Sequence, residues 1–78
     1  MVIDLHGYTV HQAWNVFNNK VTQAYYDGHR TCKVITGYGQ IQSELSIWAE
    51  NHAKVKTCNR QDPNQGSFII RLIKKKNF

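Results

Sequence analysis

Asp4 and His6 are the two residues whose types and spacing most invite chemistry. They close the first apolar run of the chain, VIDL, and Gly7 follows at once. On an extended strand alternate side chains share a face, so Val2, Asp4 and His6 lie together while Ile3 and Leu5 lie opposite. A rise near ~3.3 Å per residue puts the Asp4 and His6 side chains about 7 Å apart at their bases. At that distance a carboxylate and an imidazole can act on one ligand. They can share a divalent metal, although one Asp and one His make an incomplete set. Alternatively the imidazole acts as a general base and the carboxylate raises its pKa. Gly7 allows a sharp turn and leaves room for a phosphate beside the start of the next helix, whose free amides favour anions. A structural reading stands beside this one. In it His6 closes the strand end by bonding to backbone and Asp4 pairs with a lysine, since patterns as short as D-x-H recur by chance.

A second candidate is TGYG, residues 36–39. Gly37 and Gly39 can open a backbone nest for a phosphate. In parallel α/β arrangements the strand ends and helix starts gather on one edge. The loop at Thr36, Gly37, Tyr38 and Gly39 should therefore lie near Asp4, His6, Gly7 and Tyr8. Tyr8 and Tyr38 would flank such a site and could stack on unpaired bases, or simply pack their loops.

These loops must be held by regular elements. Residues 2–5 form a short strand. Thr9 is a good N-cap, and Val10, Ala13, Trp14, Phe17, Val21, Ala24 and Tyr25 follow at helical spacing. Gly28 supplies the left-handed stop. The β-branched run TCKVIT, residues 31–36, reads as a strand. Ile41, Leu45, Trp48, Ala49 and His52 mark a second helix over 41–52. Residues 54–61 alternate as an edge strand, PNQG turns, and SFIIRLI, residues 67–73, is the last and most apolar strand. Trp14, Phe17 and Trp48 fall on the apolar helix stripes and are assigned to the core. His52 is expected as a favourable cation at the end of the second helix. The order βαβαββ implies an α/β (α+β sandwich) fold. It has a four-stranded mixed sheet, with parallel pairing across the helical crossovers and an antiparallel hairpin at the end. Both helices should cover one face.

With these motifs in place the sequence resembles the Smr (small MutS-related) domain family. The residues that carry the likeness are Asp4-Leu5-His6-Gly7 with Tyr8-Thr9 and the long helix, then VITGYG at 34–39, Trp48, and Gly66 to Leu72. The resemblance implies a fold like the C-terminal domain of translation initiation factor three. It also implies nucleic-acid binding, with DNA-nicking or RNA endonuclease activity in some members. The family's DxH motif falls on Asp4 and His6, and its glycine loop on Gly37 and Gly39. The usual loop is HGxG, and here Thr36 replaces the histidine and Tyr38 the usual basic residue. That change removes a candidate acid, base or ligand. It favours the alternative of a non-catalytic nucleic-acid or protein interaction module.

Composition bounds the rest. The 78 residues, 41% hydrophobic with five Gly and one Pro, fit one folded domain over 1–74 and a basic tail over 75–78. Net charge is +5, and it is uneven. Residues 54–78 carry Lys54, Lys56, Arg60, Arg71, Lys74, Lys75 and Lys76 against Asp62 alone. That asymmetry points to a polyanion such as DNA or RNA. Alternation on the third strand should set Lys54, Lys56 and Arg60 on one basic face, with Arg71 on the neighbouring strand. Cys32 and Cys58 match no metal spacing and read as reduced, half-buried residues. No apolar run approaches the ~20 residues that cross a bilayer, and no leader pattern opens the sequence. The expectation is a cytoplasmic domain with no membrane partner.

Overall fold

The structure is a computed structural model that describes residues 1–61 and 66–74. The turn expected at PNQG and the tail fall mostly outside those residues. Six elements follow in order: β1 (Val2–Asp4), α1 (Val10–Tyr26), β2 (Thr31–Ile35), α2 (Gln40–Glu50), β3 (Val55–Arg60) and β4 (Ser67–Leu72). The sheet runs β1-β2-β4-β3. β1 pairs parallel with β2, while β4 pairs antiparallel with both β2 and β3. β3 thus points the same way as β2, as its helical crossover suggests. It is not bonded to β2, because the most apolar strand, β4, takes the central place between them.

Alternation decides which face each strand buries. Ile3, Leu5, Cys32, Val34, Phe68, Ile70 and Leu72 join one cluster with Ala13, Phe17, Val21 and Ala24 of α1 and Leu45 and Ala49 of α2. Both helices therefore lie on one face of the sheet. Val2, Lys33, Ile69 and Arg71, on the other face, are exposed or half-buried.

Helix α1 is fixed at both ends by local chemistry. The Thr9 hydroxyl accepts from the Gln12 amide at 3.2 Å, and the Gln12 side chain accepts from the Thr9 amide at 3.1 Å. This reciprocal box satisfies two amides that the helix cannot. At the other end the amide of Gly28 donates to Tyr25 and that of His29 to Ala24. Gly28 takes φ +87°, the left-handed stop expected at this glycine.

Two assignments made from periodicity need correction. Phe17 is fully buried and Trp48 packs against the core, but Trp14 is 45% exposed. The buried stripe of α1 runs through Ala13, Phe17, Val21 and Ala24, and Trp14 lies at its margin. His52 is not a capping cation. Its Nδ1 accepts from the Lys54 amide at 3.1 Å, its Nε2 lies 3.4 Å from the Thr22 hydroxyl, and its ring sits edge-on to Phe17. Burial pushes its pKa below the ordinary value; the Asn18 carbonyl opposes that shift and the Lys54 charge adds to it.

Truncating Phe17 to Ala should cost about 3–5 kcal/mol, read as a lower midpoint in urea denaturation. His52 gives a pH dependence of definite sign. Because its folded pKa is depressed, the unfolded chain takes up the proton first as pH falls below the ordinary value of about 6.5. Its contribution to stability is complete above that pH and is lost progressively toward the folded pKa. His52→Gln should flatten this segment of the stability profile, measured by denaturant titration between neutral and mildly acidic pH.

Candidate functional site

Two turns, one after β1 and one after β2, carry the residues singled out for chemistry. In the first, the Tyr8 amide donates to the Leu5 carbonyl at 3.3 Å. Gly7 stands third in that turn with φ +88°, the position where a type II turn demands glycine. An Asp4 carboxylate oxygen accepts from the His6 amide at 3.0 Å. Asp4 thus holds the turn that presents His6, and β1 ends before His6 can continue the alternation.

In the second turn the amides of Thr36 and Gly37 both donate to the Gly66 carbonyl, at 2.8 and 3.1 Å. Thr36 is only 5% exposed. Its hydroxyl donates to the Gly37 carbonyl at 2.9 Å, with the Gly66 carbonyl at 3.3 Å. Thr36 therefore ties this loop to the start of β4, and its proton is directed inward. The Gly37 amide is likewise engaged. The sequence reading had assigned phosphate contact to the backbone of Gly37 and Gly39. The amides that remain suited to it are those opening α2, where Gly39 is the N-cap and offers no side chain to the first turn.

Parallel pairing brings the two turns together. Asp4 stands opposite Ile35, and the Leu5 amide donates to the Ile35 carbonyl at 2.8 Å. A Cβ built on Gly37 would lie 3.2 Å from His6 Cδ2, so the imidazole occupies the space that glycine leaves. Between the turns opens a cleft of about 400 Å³. His6, Gly7 and Tyr8 border it on one side, Thr36, Tyr38 and Gly39 on the other. Thr9 and Val10 of α1 and Gln40 and Ile41 of α2 complete it. The start of each helix faces one opening, a setting that favours an anion. Among the described residues that line it, His6, Tyr8 and Tyr38 are the ionisable ones and none is a lysine or arginine.

The basic residues do not gather there. A bulge between Val55 and Thr57 interrupts the alternation of β3. Cys58 and Arg60 share the covered face with Ile70 and Phe68, whereas Arg71 lies opposite Thr31 and Thr57. The Lys54 ammonium sits 4.4 Å from the Tyr25 ring centroid, and the Arg60 guanidinium 5.8 Å from that of Phe68. Lys54 precedes β3 and the bulge falls at Lys56, so regular strand alternation does not align Lys54, Lys56 and Arg60. β3 is three strand spacings, about 14 Å, from β1. Of these residues only Arg60 is near the end of the sheet that carries the cleft, because Lys54, Lys56 and Arg71 lie toward the start of β2.

Among the described residues no group of three His, Cys, Asp or Glu side chains is placed to hold a metal. A second groove of about 350 Å³ runs between α2 and β3 past Glu50, Lys56 and Cys58. Burial, helped by Glu50, raises the Cys58 pKa, which keeps that thiol protonated and inert. Cys32 is buried and its pKa is raised by burial, the N-terminal charge opposing. No described helix is long and apolar enough to cross a membrane.

A small α+β domain with two helices on one face of a mixed sheet, and a cleft between their first turns, is the class that fold and site define. The chain belongs to the Smr domain family, whose model matches residues 3–73. The family is associated in general with nucleic-acid binding and nicking. The crystal structure of the Smr domain of Thermus thermophilus MutS2 shares this fold. It aligns with a TM-score of 0.87 at 19% identity, over 92% of this chain and 96% of that one. Comparison with curated proteins finds no match.

Replacing Gly37 by Ala tests the contact between the turns. At φ +69° a Cβ is strained by about 1–2 kcal/mol, and it must also displace the His6 ring. The variant should lose about that much stability and shift the His6 ring resonances in NMR spectra. Unchanged resonances would contradict the packing described.

Proposed function

We propose that this domain binds single nucleic-acid strands, DNA or RNA, through the cleft between the two helix starts. The observation that carries the reading is the meeting of His6 with the glycine loop at an opening that both helix N-termini face. A phosphate there would take hydrogen bonds from the first amides of α2 and from the imidazole. The net charge of +5 would draw the polyanion in, and Arg60 on the distant strand would add attraction without fixing register. Lys54, Lys56 and Arg71, at the far end of the sheet, would contribute to the field alone. Asp4 is a positioning residue in this account, acting on His6 through its amide.

A second reading, cleavage of the phosphodiester, is favoured by one feature. His6 is exposed and borders the cleft, where it could take a proton from a ribose hydroxyl or a water as general base. Thr36 supplies no second acid, since its proton is already used within the loop. Binding is therefore the primary reading.

The test uses fluorescence anisotropy with labelled single strands, and incubation with supercoiled plasmid and structured RNA, with and without divalent metal. Binding should weaken with salt at a log–log slope of roughly −0.7 per phosphate neutralised. His6→Ala should weaken binding about 5- to 20-fold, the worth of one charge-assisted or neutral hydrogen bond lost from a closed site. Asp4→Asn, which keeps an acceptor for the His6 amide, should bind nearly as the parent does. Cleavage abolished in His6→Ala and retained in Asp4→Asn would support the second reading. No binding at low salt would defeat both.

A further inference from the structure

We infer that the start of α1 carries a base-stacking platform, built on Trp14 and His11, that selects strands with unpaired nucleobases over duplex; it rests on the cleft holding a nucleic-acid backbone. Trp14 is 45% exposed although its neighbours Ala13 and Phe17 are fully buried. Its ring lies 6.4 Å from that of His11 with 25° between the planes. The Asn15 side-chain amide sits 3.2 Å from His11 Nε2 and steadies that ring. The two rings form a nearly parallel pair with an open edge to solvent.

The pair stands in the first turns of α1, which begins at Val10. Val10 borders the cleft, and Trp14 follows it by four residues, on the same side of the helix. Helical side chains lean back toward the N-terminus, which directs Trp14 toward the turn that holds Val10. Within the cleft itself Tyr8 is 44% exposed and Tyr38 78%. Exposed aromatic rings thus border an opening suited to an anion on a chain of net positive charge. A polymer that alternates phosphates with planar rings matches that combination. In a duplex the base faces are covered by one another, so only unpaired bases can meet Trp14.

The test starts from Trp48→Phe, which leaves Trp14 as the only tryptophan. Its emission is followed during titration with a pyrimidine single strand of about eight nucleotides, within the usual site size. An abasic strand with the same number of phosphates and a duplex of the same sequence are titrated alongside. The single strand should quench Trp14 and bind about 5- to 100-fold tighter than the abasic strand, the usual range for one stacked base. Trp14→Leu should erase that margin and Trp14→Phe keep part of it, measured by anisotropy in the otherwise native chain, so the result does not depend on the Trp48 variant folding. Equal binding of both strands, unaffected by Trp14→Leu, would overturn the platform and leave the phosphate cleft standing. No binding of any strand at low salt would overturn the cleft and the platform together. A concentration-dependent dimer that Trp14→Leu dissociates would assign the rings to a second copy and also overturn the platform.

Discussion

The site depends on one pairing, that of β1 with β2. Because these strands run parallel, both end on the same rim of the sheet, and each must turn there into a helix that runs back across the same face. Leu5 bonding to Ile35 and the Gly66 carbonyl accepting from Thr36 and Gly37 fix the two turns at hydrogen-bond precision. The His6 imidazole then sits against Gly37, where no larger residue fits without displacing it. Two helix starts converge as a consequence, and with them a local positive potential that needs no lysine.

This separates two electrostatic tasks that the sequence had merged. The cleft offers oriented amides and one imidazole, groups that act over short distances and define a geometry. The lysines and arginines of the last third act at long range, and several are committed elsewhere. Lys54 is held against Tyr25 and Arg60 leans on Phe68; both contacts help anchor the outer strand. Surface charge of this kind speeds encounter and sets salt sensitivity, whereas the cleft would set register.

Much of the architecture could be read from the residues. Element order followed from apolar spacing, from Thr9 and Gly28 at the ends of α1, and from the β-branched runs. The approach of DLHG to TGYG followed from the expectation of parallel pairing. Other features could not be read because they are tertiary. The position of β4 between β2 and β3 depends on which strand best fills the centre. The bulge near Lys56 moves side chains to the other face, and no residue type announces it. Trp14 occupies a helical position that satisfies the apolar stripe, yet only the packing of α1 against the sheet reveals that it lies at the margin. Thr36 looked like a lost histidine facing a ligand; its hydroxyl proved to be an internal tie to Gly66.

The central claim is that a nucleic-acid strand is held at the rim where β1 and β2 end. Backbone amide chemical-shift mapping tests it most directly, with ¹⁵N-labelled protein titrated by a short single-stranded oligonucleotide. The account predicts the largest perturbations at His6 to Val10 and Tyr38 to Ile41, with smaller ones along β3. Perturbations confined to Lys54 through Arg60, with the amides of the two turns unmoved, would contradict it.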